Sequence, residues 1–365
     1  MKGTGKAAVF TGHGKPMEIR EFPLPEVEPG AILVRITTGN ICGSDLHTWR
    51  GEHRQTTEPR ILGHEMAGRV AELGKGVSTD SQGKPLAVGD RIIYAYFFPC
   101  GRCPNCLKGE RAVCLNKLPA WYNSAKEPPY FNGAYAEYYY LRPGGFVFKV
   151  PDDLSDDMVA GVNCALSQVM YGFHLSGITI GDNVVIQGAG GLGIYATAVA
   201  REMGAGRIVV IDQYDDRLKL AKEFGADAVV DMKEFKTPRE RVDQVRKLVA
   251  GRGGDVVLEV VGSPQAVPEG INMTAPGGTY IWIGNIVRGG AIEMDPSLII
   301  GASRKIIGVV TYEPWIIPRA LDFLSRNRQR FPFHRLISHK FKLEQINEAF
   351  QAANEGRVTR AAIVP

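Results

Sequence analysis

Four cysteines crowd into fifteen residues: Cys100, Cys103, Cys106 and Cys114, spaced C-x2-C-x2-C-x7-C. Thiolates this close in sequence can close a tetrahedron around zinc, which is a form that structural zinc takes. C-x2-C-x2-C also opens a ferredoxin-type iron–sulfur motif, but that motif wants its fourth cysteine three residues on, with a proline after it. Here the gap is seven and Leu115 follows, so zinc is expected. The other two cysteines, Cys42 and Cys164, lie far apart in the chain. With His64 they make two thiolates and one imidazole, a set that leaves zinc an open fourth position, as catalytic zinc requires. Singly, a buried cysteine is more often a small core residue, and a lone histidine a hydrogen-bonded one. The constellation is what singles them out.

A second chemistry is written in Gly188-Ala189-Gly190-Gly191-Leu192-Gly193, which fits G-x-G-x-x-G. The motif follows the apolar run Val184-Val185-Ile186 and opens a helical stretch that continues through Met203, the context that gives it meaning. Its glycines allow a tight turn, a close approach of backbone to pyrophosphate, and packing of helix on strand. The helix start then offers N–H groups and a positive dipole end to phosphates. Asp212 ends the next apolar run, nineteen residues after Gly193, where a carboxylate can accept both ribose hydroxyls. A 2′-phosphate would meet that charge, so NAD is expected rather than NADP.

These residues need elements to hold them. The first 150 residues read as β-rich, with short apolar runs such as Ala31–Ile36 and Arg91–Tyr94 between Gly and Pro turn signals. Beyond Gly181, strands alternate with helices: Ile208–Asp212, Ala228–Val230, Val256–Val260 and Tyr280–Ile283, with a helix over Asp216–Phe224. That spacing predicts an α/β, doubly wound parallel sheet. The last sixty residues predict a helix over Leu343–Asn354 and a strand at Ala361–Val364. A chain of 365 residues suits two domains. Its 43 basic and 39 acidic residues leave a net charge of +4 with no long basic run, which does not point to nucleic acid. No apolar stretch reaches the ~18 residues of a membrane span, and the N-terminus lacks a signal-type core. A cytoplasmic protein is expected.

Cys-Gly-Ser-Asp-x-His at 42–47, Gly-His-Glu at 63–65, the four-cysteine lobe, Cys164 and the glycine turn together resemble the zinc-dependent medium-chain dehydrogenase family, nearly end to end. The resemblance implies a GroES-like β-barrel catalytic domain of residues 1–165 and 310–365 around a Rossmann nucleotide domain of 166–309, with the active site in the cleft. It implies two zinc ions per chain, NAD, a small alcohol or carbonyl substrate, and a homodimer or homotetramer. Cys42, His64 and Cys164 match the catalytic zinc ligands. Glu65 matches a carboxylate that can sometimes reach the metal, and Asp45 one that orients His64. Ser44 and His47 match a proton relay running through the nicotinamide ribose. Arg217 matches a basic residue near the adenosine ribose, and Arg360 an arginine near the pyrophosphate.

The same resemblance places Trp49, Tyr96, Phe97, Trp121 and Tyr122 around the substrate. Such aromatic walls suit a bulky, cyclic or aromatic alcohol, although several of these rings could instead pack the barrel or a subunit contact. Arg50, Arg54 and Arg60 nearby leave room for an anionic substrate group. Polyol dehydrogenases of the family have a glutamate where this chain has Cys164, which favours the alcohol type without excluding Glu65 as a ligand. Three rivals remain: the polyol type, a zinc-free reductase of carbon–carbon double bonds, and a catalytically silent protein that binds zinc and nucleotide.

Overall fold

A computed structural model describes residues 3–52, 59–119, 123–284, 287 and 289–365. The chain forms two compact units: Met1–Cys164 with Glu313–Arg328 and Phe333–Pro365, and Ala165–Tyr312 with Gln329–Pro332. Among the described residues, no helix is long and apolar enough to cross a membrane.

The first unit opens on β1 (Thr4–Phe10), β2 (Glu18–Pro23) and β3 (Ile32–Asn40), followed by β4 (Arg60–Ile61), β5 (Glu65–Leu73) and β6 (Arg91–Tyr94). Then come β7 (Phe97–Phe98), β8 (Leu118–Pro119), β9 (Tyr138–Leu141) and β10 (Val147–Lys149). One small sheet runs β2-β1-β4. The larger one runs β10-β6-β5-β3 and continues into the C-terminal strands β18 (Ala361–Val364) and β17 (His339–Lys342). The chain end therefore returns to the N-terminal sheet, where Ala362 pairs with Asn40 and Ile363 with Gly39, antiparallel. The helix Ile346–Asn354 seals this return. Its Ile346, Ala349 and Phe350 are buried with Phe10, Leu62, Tyr135 and Ile363 in one apolar cluster. Phe350→Ala is expected to cost about 3–5 kcal/mol by emptying that cluster.

The second unit is a six-stranded parallel sheet in the order β13-β12-β11-β14-β15-β16. Its strands are β11 (Asn183–Gln187), β12 (Arg207–Asp212), β13 (Ala228–Asp231), β14 (Gly254–Glu259), β15 (Thr274–Trp282) and β16 (Lys305–Gly308). Sequential strands thus spread outward from β11, the doubly wound order that puts a ligand crevice at the strand carboxyl ends beside β11. Val184–Ile186, Ile208–Ile211 and Val256–Leu258 are buried, as central strands of a two-sided parallel sheet require. The outermost strand, β16, was not among the expected elements. Sequence periodicity had reached only as far as Ile283.

Candidate functional site

Cys100, Cys103, Cys106 and Cys114 bring their sulfurs within 4.8 Å of one another. Cys103 caps the short helix Pro104–Leu107, whose proline at the first position starts a turn immediately after a ligand. Cys103 and Cys114 sulfurs lie 3.9 Å apart, close to the roughly 3.8 Å that two 2.3 Å zinc–sulfur bonds span at a tetrahedral angle. Cys100 N–H donates to the Cys114 sulfur (3.2 Å) and the Asn116 amide to that of Cys100 (3.5 Å). Backbone N–H of Arg102 holds the Cys100 thiol down to about 6, whereas burial pushes Cys106 up to about 12. The lobe is fastened to its own unit. Ala112 N–H donates to Glu313 (2.6 Å), and Lys117 donates to the Ala112 carbonyl (2.6 Å).

The second cluster joins Cys42, His64, Glu65 and Cys164, all buried, with ligand atoms again within 4.8 Å. Cys42 precedes the helix Gly43–Trp49, His64 precedes β5, and Cys164 sits in a π-helical turn, Val162–Leu166. Cys42 and Cys164 sulfurs are 4.0 Å apart, and His64 Nε2 is 3.2 Å from the Cys164 sulfur. The donor set and its spacing therefore fit one zinc ion held by two thiolates and Nε2. A contact from the Cys164 thiol holds Cys42 well below its ordinary value, and the same contact pushes Cys164 well above. Burial opposes charge on His64, but the Asp45 carboxylate and Cys42 outweigh it and raise the imidazole well above its usual range.

His64 is held from every side. Its Nδ1 faces Asp45 Oδ1 at 3.5 Å, and its carbonyl accepts from Asn163 (2.8 Å) and the Tyr94 hydroxyl (3.1 Å). Gly63 has a φ of +92°, and a Cβ there would meet the Tyr135 ring at 3.0 Å, so glycine is required just before the ligand. Glu65 departs from expectation in its partner. Arg360 places Nη2 2.7 Å from Glu65 Oε1 and 2.6 Å from Oε2, and both side chains are buried. Burial pushes the Glu65 carboxyl up to about 7 against the pull of that guanidinium. Arg360, expected near a pyrophosphate, pairs through Nη2 with Glu65 in this structure, because β18 lies beside β3 and brings residue 360 back to the metal cluster.

Ser44 lies half-buried in the first turn of the helix Gly43–Trp49. His47, one turn on, has its Nδ1 on Glu52, and Arg50 donates to both Glu52 oxygens (2.6 and 3.0 Å). Hydrogen bonding from Arg50 holds Glu52 down at about 2, and an ionised carboxylate has only acceptors. His47 Nδ1 thus lies between the Glu52 carboxylate and Arg50 Nη2, which is 2.9 Å away.

Among the expected pocket aromatics, Tyr96 lies 5.0 Å from His64, centroid to centroid, and Phe97 packs edge-on behind it at 5.4 Å. Trp49 is partly buried, tilted on Phe350 at 6.0 Å and packed against the apolar cluster under the C-terminal helix. Trp121, Tyr122 and Arg54 lie outside the described residues. Arg60 is fully buried with its guanidinium over Phe10, and Arg50 is engaged with Glu52 and Asn354.

In the second unit, Gly188 has a φ of +102°, and a Cβ on Gly193 would stand 1.8 Å from the Gly188 carbonyl oxygen. A Cβ on Gly190, by contrast, would meet nothing within 4 Å, which leaves that face of the turn open to a ligand. Gly191 and Leu192 begin the helix Gly191–Glu202. Asp212, at the end of β12, accepts from Ala189 N–H (2.6 Å) and from Gln213 and Tyr214 N–H (2.7 and 3.0 Å). Arg217 stacks on Tyr214, 4.5 Å from the ring centroid. Turn, acid and basic residue are gathered at one end of the sheet.

Residues 28–152 match the alcohol dehydrogenase GroES-like domain and residues 191–326 the zinc-binding dehydrogenase domain. The chain is 32% identical to 5-exo-hydroxycamphor dehydrogenase of Pseudomonas putida over 98% of each, and 29% identical to L-threonine 3-dehydrogenase of Xanthomonas euvesicatoria over 98% of this chain and 99% of that one. Its structure superposes on an alcohol dehydrogenase from Thermotoga maritima with a TM-score of 0.93, at 30% identity and 99% coverage of both. A Sinorhizobium meliloti protein described as a zinc-binding dehydrogenase and bound to NADP gives 0.85 at 27% identity, over 100% of both chains. Matched along its whole length, the protein belongs to the zinc-dependent medium-chain alcohol dehydrogenase family.

Proposed function

We propose that this alcohol dehydrogenase oxidises a bulky, largely apolar cyclic or aromatic alcohol with NAD. The observation that carries the substrate reading is the ring of Tyr96 against His64, with Phe97 behind it: an aromatic wall beside the metal ligands. The P. putida relative is named for a hydroxylated bicyclic terpenoid, which accords with this. The L-threonine 3-dehydrogenases point instead to a charged substrate. Arg60, buried over Phe10, and Arg50, bound to Glu52, are poorly placed to receive a carboxylate. A panel from ethanol through cyclohexanol to benzyl-type alcohols, each with and without an acidic group, tests the proposal. The largest kcat/KM is expected on the uncharged cyclic members, and a maximum on ethanol, threonine or an open-chain polyol overturns it.

Cys42, His64 and Cys164 hold one zinc, and the four-cysteine lobe holds the other. Zinc supplies Lewis acidity toward the alcohol oxygen, and the nicotinamide is the hydride acceptor. Ser44 Oγ would take the alcohol proton as it gives up its own, and the nicotinamide ribose hydroxyl would link it to His47, which passes a proton on toward solvent. Glu65 stays paired with Arg360, so its charge is compensated beside the thiolates. Gly188, Gly190 and Gly193 seat the pyrophosphate on the helix start, and Asp212 selects NAD over NADP by its charge at the ribose. Arg217, five residues after Asp212 and stacked on Tyr214, would lend a 2′-phosphate some support once that charge is removed. A homodimer or homotetramer is supported by the edge of the parallel sheet. There β16 carries partly exposed Ile306, and Ile300 and Val310 nearby are exposed. Sedimentation at working concentration checks it.

A further inference from the structure

Tyr135 lies in a short segment braced to two parts of the first unit. Its backbone N–H donates to Leu62 (3.1 Å), Ala134 N–H donates to Gly63 (3.0 Å), and Ala8 N–H donates to the Tyr135 carbonyl (2.9 Å). Its ring is fully buried, edge-on to Phe350 at 5.5 Å and against the Cα of Gly63. The hydroxyl points away from these apolar contacts. It donates to Asp45 Oδ2 at 2.8 Å, with the Asn40 carbonyl a longer acceptor at 3.2 Å. Asp45 also takes Cys42 N–H on Oδ2 (3.0 Å) and Gly63 N–H on Oδ1 (3.3 Å), and it is Oδ1 that faces His64 Nδ1. Oδ2 is thus held by the Cys42 backbone and Oδ1 more loosely by the Gly63 backbone, and the Tyr135 hydroxyl makes the shortest of these bonds to the carboxylate.

We propose that Tyr135 is a positioning residue for the zinc site: its hydroxyl fixes Asp45 so that Oδ1 receives His64 Nδ1–H and directs Nε2 toward Cys42 and Cys164. Partners of a ligating histidine govern metal affinity by about 10–100-fold, and the same reasoning extends one bond further when that partner is itself oriented by a buried side-chain donor. Without the hydroxyl, Asp45 can turn, and the imidazole loses its set direction. Burial and the Asp45 charge hold the phenol well above its ordinary value, so it remains a donor throughout the working range. The inference rests on Cys42, His64 and Cys164 being the ligands.

The test is chelator competition on the two-zinc enzyme, reading zinc released per chain. Tyr135→Phe keeps the ring and removes one oxygen. It is expected to weaken retention of one zinc about 10-fold or more, while the second zinc stays as firmly held as in the parent. Asp45→Asn should weaken the same zinc, and the double variant should be no worse than Asp45→Asn alone, since both act through one carboxylate. Tyr140→Phe, which removes a hydroxyl that accepts from Glu28 N–H, should leave both zinc ions unchanged. Parental retention in Tyr135→Phe alongside loss in Asp45→Asn overturns the role of Tyr135 alone. Parental retention in both overturns it together with the ligand assignment beneath it.

Discussion

The two cysteine-rich clusters use similar atoms at similar spacing yet are built in opposite ways. The lobe at 100–114 takes all four sulfurs from one short loop and fastens itself to the rest of its unit through Ala112 and Glu313. The cluster of Cys42, His64 and Cys164 draws its proposed ligands from three distant segments, and adds Asp45, Tyr135, Asn163 and Arg360 from four more positions. A local site can form as its loop forms, so its metal energy acts on folding. An assembled site exists only after the sheet has closed, and its metal energy is available for chemistry.

Breaking each cluster should show this. Cys42→Ser is expected to have the largest effect, a fall in kcat/KM well beyond the ~100-fold that outer partners of a ligand cost, with the chain still folded and still binding NAD. Metal analysis should find one zinc per chain. Two zinc ions, or retained turnover, would sink the assignment. Cys103→Ser should act on the other side of the comparison. Thermal midpoint and yield should drop by several degrees or more, while activity per remaining folded chain holds. If that variant is stable but inactive, the division of labour is wrong.

The nucleotide turn belongs with the local lobe, since Gly188–Gly193 and Asp212 lie in one strand–helix–strand unit. Asp212→Ala should cut kcat/KM for NAD about 10–100-fold, the cost of losing one or two charged hydrogen bonds, and narrow the gap to NADP. A parent enzyme that prefers NADP, the cofactor seen in the S. meliloti structure, would refute the role given to Asp212. The smallest effect is expected at half-buried His47, the proposed outer end of the proton relay. His47→Gln should slow alcohol oxidation a few-fold, most near or below neutral pH, with buffer base restoring part of the rate. A response flat in both pH and buffer would reduce His47 to a surface residue.

How much of this could be read beforehand follows the same division. The four-cysteine lobe, the glycine turn and the β11–β15 series were legible because each signal lies within some tens of residues, at spacings that geometry fixes. That Cys42, His64 and Cys164 come together was legible through the motifs around them rather than through spacing. Tyr135 and the Arg360–Glu65 pair were not, because nothing in either local sequence announces a partner ninety or three hundred residues away. The only trace was Gly63, whose positive φ and crowding by Tyr135 explain why a glycine stands before His64. Trp49 shows the limit of side-chain type as a guide. An aromatic ring suits a pocket and a core equally, and here it packs on the helix Ile346–Asn354. The edge strand β16 carried a signal, Ile306-Ile307 ahead of Gly308, too short to stand out from a loop.

Cys164 occupies a turn wound one residue wider than an α-helix, in Val162–Leu166, directly ahead of the helix Ser167–Ser176. Such turns arise when a single residue is inserted into a regular helix, and they are frequent at functional sites. The thiolate therefore depends on a count rather than on a side chain. Removing one residue other than Cys164 from 162–166 would let the turn tighten to the ordinary repeat and swing Cys164 roughly 100° about the helix axis, away from His64. A deletion that leaves every ligand in the sequence would still erase the site, and in comparing family members the length of this turn carries as much information as the cysteine within it.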